Sequence, residues 1–157
     1  MKCYSCFWVG LLLSVMCVAN GCGRGGFPVV LVSGEVLYNG QTVERALVSF
    51  VPQFAEGRGA SAMTDSNGKF VLVTQGAAQN GAMPGEYKIL VTKFIEVDKS
   101  GKEVVRQPKE YKPGDTTPEI QYPQKNLLPE KYSQKDTTNL IVTVGKKKNY
   151  FKLELTD

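Results

Sequence analysis

The sequence predicts an all-β fold: a two-sheet β-sandwich of seven short strands, with a long irregular insertion before the last two. Three observations predict it. Apolar and polar residues alternate over short stretches. Turns rich in Gly, Asn, Asp and Pro separate these stretches. No segment shows a capped apolar repeat of about 3.6 residues, as a surface helix would. Hydrophobic residues make up 42% of the 157 and aromatics 10%, enough for one packed core.

The first strand is expected over residues 30–38, "VLVSGEVLY", where Val30, Val32, Gly34, Val36 and Tyr38 share one face. Asn39–Gly40 follows as a tight turn, because both residues accept positive φ. Residues 46–53 alternate through Ala46, Val48, Phe50 and Pro52. Leu47 and Val51 on the other side predict burial on both faces. Residues 59–64 are poor in large apolar side chains and read as an edge strand. "DSNG" (65–68) turns the chain into residues 69–74. Residues 85–94 place Tyr87, Ile89, Val91 and Lys93 on one face, with Leu90 and Phe94 on the other. Residues 139–145 and 149–155 are expected to pair as a hairpin across Lys146, Lys147 and Lys148. The only helical candidate, residues 129–136, amounts to one or two turns. Residues 95–138, with Tyr111 and Tyr122 among prolines, read as an irregular, proline-stiffened loop; the functional alternative is a partner-binding arm anchored by those tyrosines.

The N-terminal residues have a different logic. Met1 and Lys2 precede "FWVGLLLSVMCV" (7–18), an uncharged apolar run shorter than the roughly 20 residues of a membrane span. A Gly-rich stretch follows, which is the layout of a secretory signal peptide. Ala19 and Gly21 supply the small residues at −3 and −1 of a cleavage site, and Cys22 then becomes the first mature residue. "A-N-G-C" (19–22) resembles the bacterial lipobox, in which the cysteine is diacylated. The pattern departs at Ala19, where Leu is usual. The division expected is therefore a signal peptide over 1–21, a tether over 22–28 and a domain over 29–157. Two or three acyl chains hold a protein on a bilayer, since each buried CH₂ contributes about 0.8 kcal/mol. By the resemblance, Gly23 after Cys22 leaves outer-membrane delivery open in a two-membrane cell.

Within the domain, "VSGEVLYNG" (32–40), "TDSNGKF" (64–70) and "PGEYKILV" (84–91) resemble the carboxypeptidase-regulatory-like domain, a transthyretin-like, Ig-like β-sandwich. The matching residues are Gly34, Gly40, Thr64, Asp65, Gly68, Phe70, Pro84, Gly85 and Tyr87. "LLPEKYSQKDTTNLIVTV" (127–144) is also similar to the C-terminal part of small bacterial lipoproteins built on that domain, matching at Leu128, Pro129, Lys131 and Tyr132 and departing at Asn139, where that part has Gly. The resemblance implies a non-catalytic module, because in carboxypeptidases it accompanies the zinc-binding catalytic domain. The residues have physical reasons of their own. Gly34 permits close approach on a strand, Asp65 accepts backbone hydrogen bonds across its turn, and Gly68 closes that turn with positive φ.

The chemistry-bearing residue types are sparse. There is no histidine, and Cys3, Cys6, Cys17 and Cys22 all lie in the first 22 residues, so no disulfide scaffolds the body. Asp65 and Asn67 have the first spacing of a calcium loop, but Lys69 sits inside it and no closing glutamate follows. The net charge of +4 comes from 19 basic and 15 acidic side chains, scattered except at Lys146–Lys148, which reads as a solvated turn rather than a nucleic-acid patch. No enzyme activity, cofactor, metal or nucleic-acid partner is expected. The functional expectation is a lipid-anchored cell-envelope protein with a structural or protein-interaction role, partnered by its membrane and by an envelope protein or polysaccharide. The alternative is a carbohydrate- or small-ligand-binding module using Tyr111, Tyr122 or Tyr132 as a platform.

Overall fold

The computed structural model describes residues 27–105 and 120–157, and over these the chain is all-β. Among the described residues eleven strands occur in chain order: β1 (Val32–Tyr38), β2 (Gln41–Thr42), β3 (Leu47–Pro52), β4 (Ala60–Met63), β5 (Lys69–Val71), β6 (Val73–Thr74), β7 (Gly85–Thr92), β8 (Phe94–Glu96), β9 (Gln124–Asn126), β10 (Ile141–Val144) and β11 (Asn149–Leu155). One 3-10 turn, Glu130–Tyr132, is the helical element among the described residues. Each of the seven expected stretches contains strand. The larger number arises because the stretch 69–74 divides at Leu72 and because β2, β8 and β9 lie where turns and loop were expected.

β1 is the centre of the first sheet. β11 runs parallel along its whole length, from Val32 opposite Asn149 to Tyr38 opposite Leu155. On its other side β5 pairs antiparallel with Ser33–Glu35, and β2 pairs antiparallel with Leu37–Tyr38. The second sheet has the order β10-β7-β3-β4-β6, with antiparallel neighbours throughout. Leu72, fully buried, marks the corner where the chain leaves β5 in the first sheet and enters β6 in the second.

The two sheets enclose one core in a β-sandwich-like layering. Val32, Val36, Phe70, Leu153 and Leu155 come from the first sheet, and Val48, Phe50, Tyr87, Ile89, Val91 and Val144 from the second. Phe50 is its aromatic centre, with ring centroids 5.8 Å from Tyr87, 6.0 Å from Phe151 and 6.3 Å from Phe70. Alternation along β1, β7 and β11 thus does what a period of two should: every second side chain enters the space between the sheets.

Four expectations change. β10 and β11 do not form a hairpin, since β10 pairs with β7 and β11 with β1. The Asn149 side chain accepts the Gly145 N–H at 3.0 Å and donates to carbonyls of Gly145 and Lys147, shaping an arch between sheets. β3 is buried on one face only: Leu47 is 43% exposed and Val51 half-buried, because among the described residues the core packs against its other side. β4 is not an edge strand, since β6 pairs with its first two residues. Finally, the insertion 95–138 is not irregular throughout. β8 and β9 form an antiparallel ribbon, while Leu128, Tyr132 and Thr138 are buried and tie residues 128–138 onto the core. Burying that apolar surface and bonding Thr138 Oγ1 to the Ile89 carbonyl (2.8 Å) offsets the entropy of ordering the segment.

Candidate functional site

Ala19, Gly21 and Cys22 lie outside the described residues. The other residues singled out in the sequence fall into three groups along the sandwich rather than converging on one cleft.

The first group is in the core. Gly34 faces inward on β1, and a Cβ there would fall on the Phe151 carbonyl oxygen and within 2.7 Å of the Phe70 ring. Phe70 is 3% exposed on β5, directly opposite Gly34 in the register. Tyr87, on β7, is fully buried and donates its hydroxyl to the Met83 carbonyl at 3.0 Å. Burial pushes its phenol pKa up, partly countered by that hydrogen bond.

The second group holds the end of the sandwich where β1 runs out. Asn39 and Gly40 have φ of 49° and 80°, the paired positive values of the expected tight turn. Thr64 is buried; its Oγ1 donates to the Val43 carbonyl at 2.7 Å and accepts the Ala46 N–H at 2.8 Å. One carboxylate oxygen of Asp65 accepts the N–H groups of Asn67 and Lys69, both at 2.8 Å. Gly68, at φ 71°, sits against the Val36 carbonyl and gives its own carbonyl to the Val36 N–H. Asp65 is therefore a turn organiser, its oxygen already saturated by backbone donors.

The third group is at the opposite end. Pro84 is half-buried and leads into Gly85, whose φ is 150° and whose missing Cβ leaves room for the Phe54 ring. Phe54 in turn meets Tyr87 edge-on at 5.6 Å.

Two features were missed in the sequence. "DKSGK" (98–102) repeats the spacing of "DSNGK" (65–69), and it folds the same way. Asp98 accepts the N–H groups of Ser100 (2.8 Å) and Lys102 (3.0 Å), Gly101 has φ 82°, and the Ser100 hydroxyl bond foremost holds the Asp98 carboxyl below its usual pKa. The shared D-x-(N/S)-G-K pattern was the available signal. The second is the grouping of Phe50, which alternation had placed on one strand face, with Phe54 and Phe151; together they complete the aromatic core around the two rings that were singled out.

The tyrosine platform divides. Tyr132 is 2% exposed, with its hydroxyl donating to the Thr156 carbonyl (3.2 Å) and accepting the Thr156 N–H (3.1 Å), so it is a core residue rather than a surface ring. Tyr122 is half-buried, and Tyr111 lies outside the described residues. Among the described residues every buried side-chain nitrogen and oxygen has a hydrogen-bond partner, and no group of three His, Cys, Asp or Glu side chains is placed to hold a metal. What these residues can do chemically is organise backbone and fill space.

No protein-family model matches the chain, and no curated protein matches it. Among solved structures it is similar to a 9R-lipoxygenase from Cyanothece PCC8801, at 14% identity and a TM-score of 0.36. The match covers 82% of this chain but only 16% of that enzyme, and a likeness of this size carries no argument about activity.

Proposed function

We propose that this chain is a non-catalytic, lipid-anchored cell-envelope protein whose domain has a structural or protein-interaction role. The domain is read as a carboxypeptidase-regulatory-like, transthyretin-like sandwich. In this reading the seven stretches recognised in the sequence are its strands, and β2 and the β8–β9 ribbon are additions. The observation that carries the proposal is the small-residue–cysteine boundary at Ala19–Cys22, five residues ahead of Phe27, the first residue described in the domain. Supporting it, the motif residues serve packing and backbone hydrogen bonding: Gly34 against Phe70, Thr64 and Asp65 on backbone groups, Gly85 against Phe54. The absence of histidine from the whole sequence removes the commonest general base.

Fractionation of a bacterial host expressing the full chain tests this. The wild-type protein is expected in the membrane pellet after a high-salt wash, released only by detergent, because acyl chains rather than charge retain it. Cys22→Ser is expected to block lipid addition, so the variant is no longer held as a processed, detergent-requiring species. Wild-type protein released by salt alone, or unaffected by the substitution, overturns the proposal.

A further inference from the structure

The strand register sorts the loops into two ends. Phe27 lies at the end where β1 and β11 begin: Val30 bridges Ala82, Arg58 stacks over the Phe27 ring at 4.6 Å, and Gln79 Nε2 donates to the Val29 carbonyl at 3.0 Å. The lysine arch is at this same end. Val144 pairs with Gly85 just before it, and Asn149 just after it donates its N–H to the Leu31 carbonyl at 3.0 Å. β7 carries the chain away from here, so the β8–β9 ribbon, the Asp65 turn and the Tyr38–Asp157 contact all lie at the other end.

The two ends differ in charge. Lys146, Lys147, Lys148 and Arg58 are exposed at the Phe27 end, against Glu56 and Glu86. At the far end acids and bases alternate, as in Asp65 with Lys69, Asp98 with Lys102 and Glu130 with Lys131. The lysine arch is also a shaped surface, because the Asn149 side chain bonds its backbone from within.

We infer that the lysine arch Lys146–Lys148, with Arg58, is a membrane-facing surface that binds the anionic headgroups of the bilayer carrying the anchor. The inference rests on the lipid-anchor reading for its geometry. From Cys22 to Phe27 is five residue steps, a reach of at most about 18 Å whatever the path. An acylated Cys22 therefore holds the Phe27 end, and not the ribbon end, close to the headgroups. A tether of that length lets the basic surface come within a Debye length, about 8 Å at physiological ionic strength, of an anionic one. The far end, with its ribbon, is then presented away from the membrane.

The test uses the processed chain 22–157 with Cys22→Ser, which retains every described residue and carries no acyl group, in co-sedimentation with vesicles. Binding to phosphatidylglycerol-containing vesicles at low salt is expected to exceed binding to pure phosphatidylcholine vesicles, and to fall as salt is raised. The triple variant Lys146→Gln, Lys147→Gln, Lys148→Gln is expected to lose about a hundredfold in affinity, from about fivefold per lysine. The triple Lys→Arg variant is expected to retain it. Lys99→Gln with Lys102→Gln, in the Asp98 turn beyond β8, is expected to bind as the parent does. Indifference of the parent chain to headgroup charge overturns the inference without reference to any variant. So does an equal loss from the far-end pair, or equal retention of a phosphatidylglycerol vesicle and a DNA duplex. Since no acyl chain is present, these results bear on the lysine surface alone and leave the anchor to be judged by the mass of the protein from its host.

Discussion

Replacing Gly34 by valine is expected to destabilise the domain by about 3 kcal/mol or more, close to the upper range for forcing extra atoms into a packed core. The reason is local and specific. Gly34 lies between β11 and β5, and its missing side chain is the space that the Phe70 ring and the Phe151 carbonyl already occupy. A side chain there must push either the ring out of the core or β11 off β1, and both moves disturb the contact between sheets. Urea denaturation reads the effect directly, as does a fall in Tm of about 10 °C for a domain of this size. Gly40→Ala is the matched control. It also replaces a glycine, and at a φ of 80°, but nothing lies within 4 Å of the place its Cβ would take, so only the backbone cost of about 1 kcal/mol applies. Equal small losses at both positions would mean that Gly34 is not where the sheets are pinned.

Phe50→Ala is expected to be comparably severe, at about 4 kcal/mol, because it leaves a cavity touching both sheets. Phe50 is 1% exposed, and its ring meets Phe70 and Phe151 of the first sheet and Tyr87 of its own. Each tilted pair contributes about 0.5–1.5 kcal/mol beyond area burial. The loss should therefore not be additive with Phe70→Ala: the double variant should cost less than the two single costs together, since the second truncation removes a partner already lost. Additive losses would show that the rings do not act as one cluster.

Much of this fold was legible in the sequence, and the exceptions share a cause. Alternation located Val32 and Val36, and Tyr87, Ile89 and Val91, on inward faces because a strand's period of two holds whichever strand it pairs with. Turn chemistry located Asn39–Gly40 and Asp65–Gly68 because positive φ and side-chain acceptance are local properties. Pairing is not local. Two adjacent alternating runs look the same whether they fold back as a hairpin or arch between sheets, and the Asn149 contacts that shape the arch have no signature of their own. The same limit hid the burial of Tyr132, whose partner Thr156 is distant in sequence, and the centrality of Phe50, which depends on what faces it across the core. Of the candidate site, the glycines and Asp65 could be assigned roles from the residues alone; the grouping of the lysine arch with Phe27 required the register of β1 and β11.

The central claim is that Cys22 anchors a sandwich domain to an envelope membrane, and one measurement tests it most directly: the intact mass of the protein recovered from the membrane fraction of its host. The account predicts a chain beginning at Cys22 and heavier than its polypeptide by two or three acyl chains. A chain that begins at Cys22 without added mass, or one that still carries residues 1–21, would contradict it.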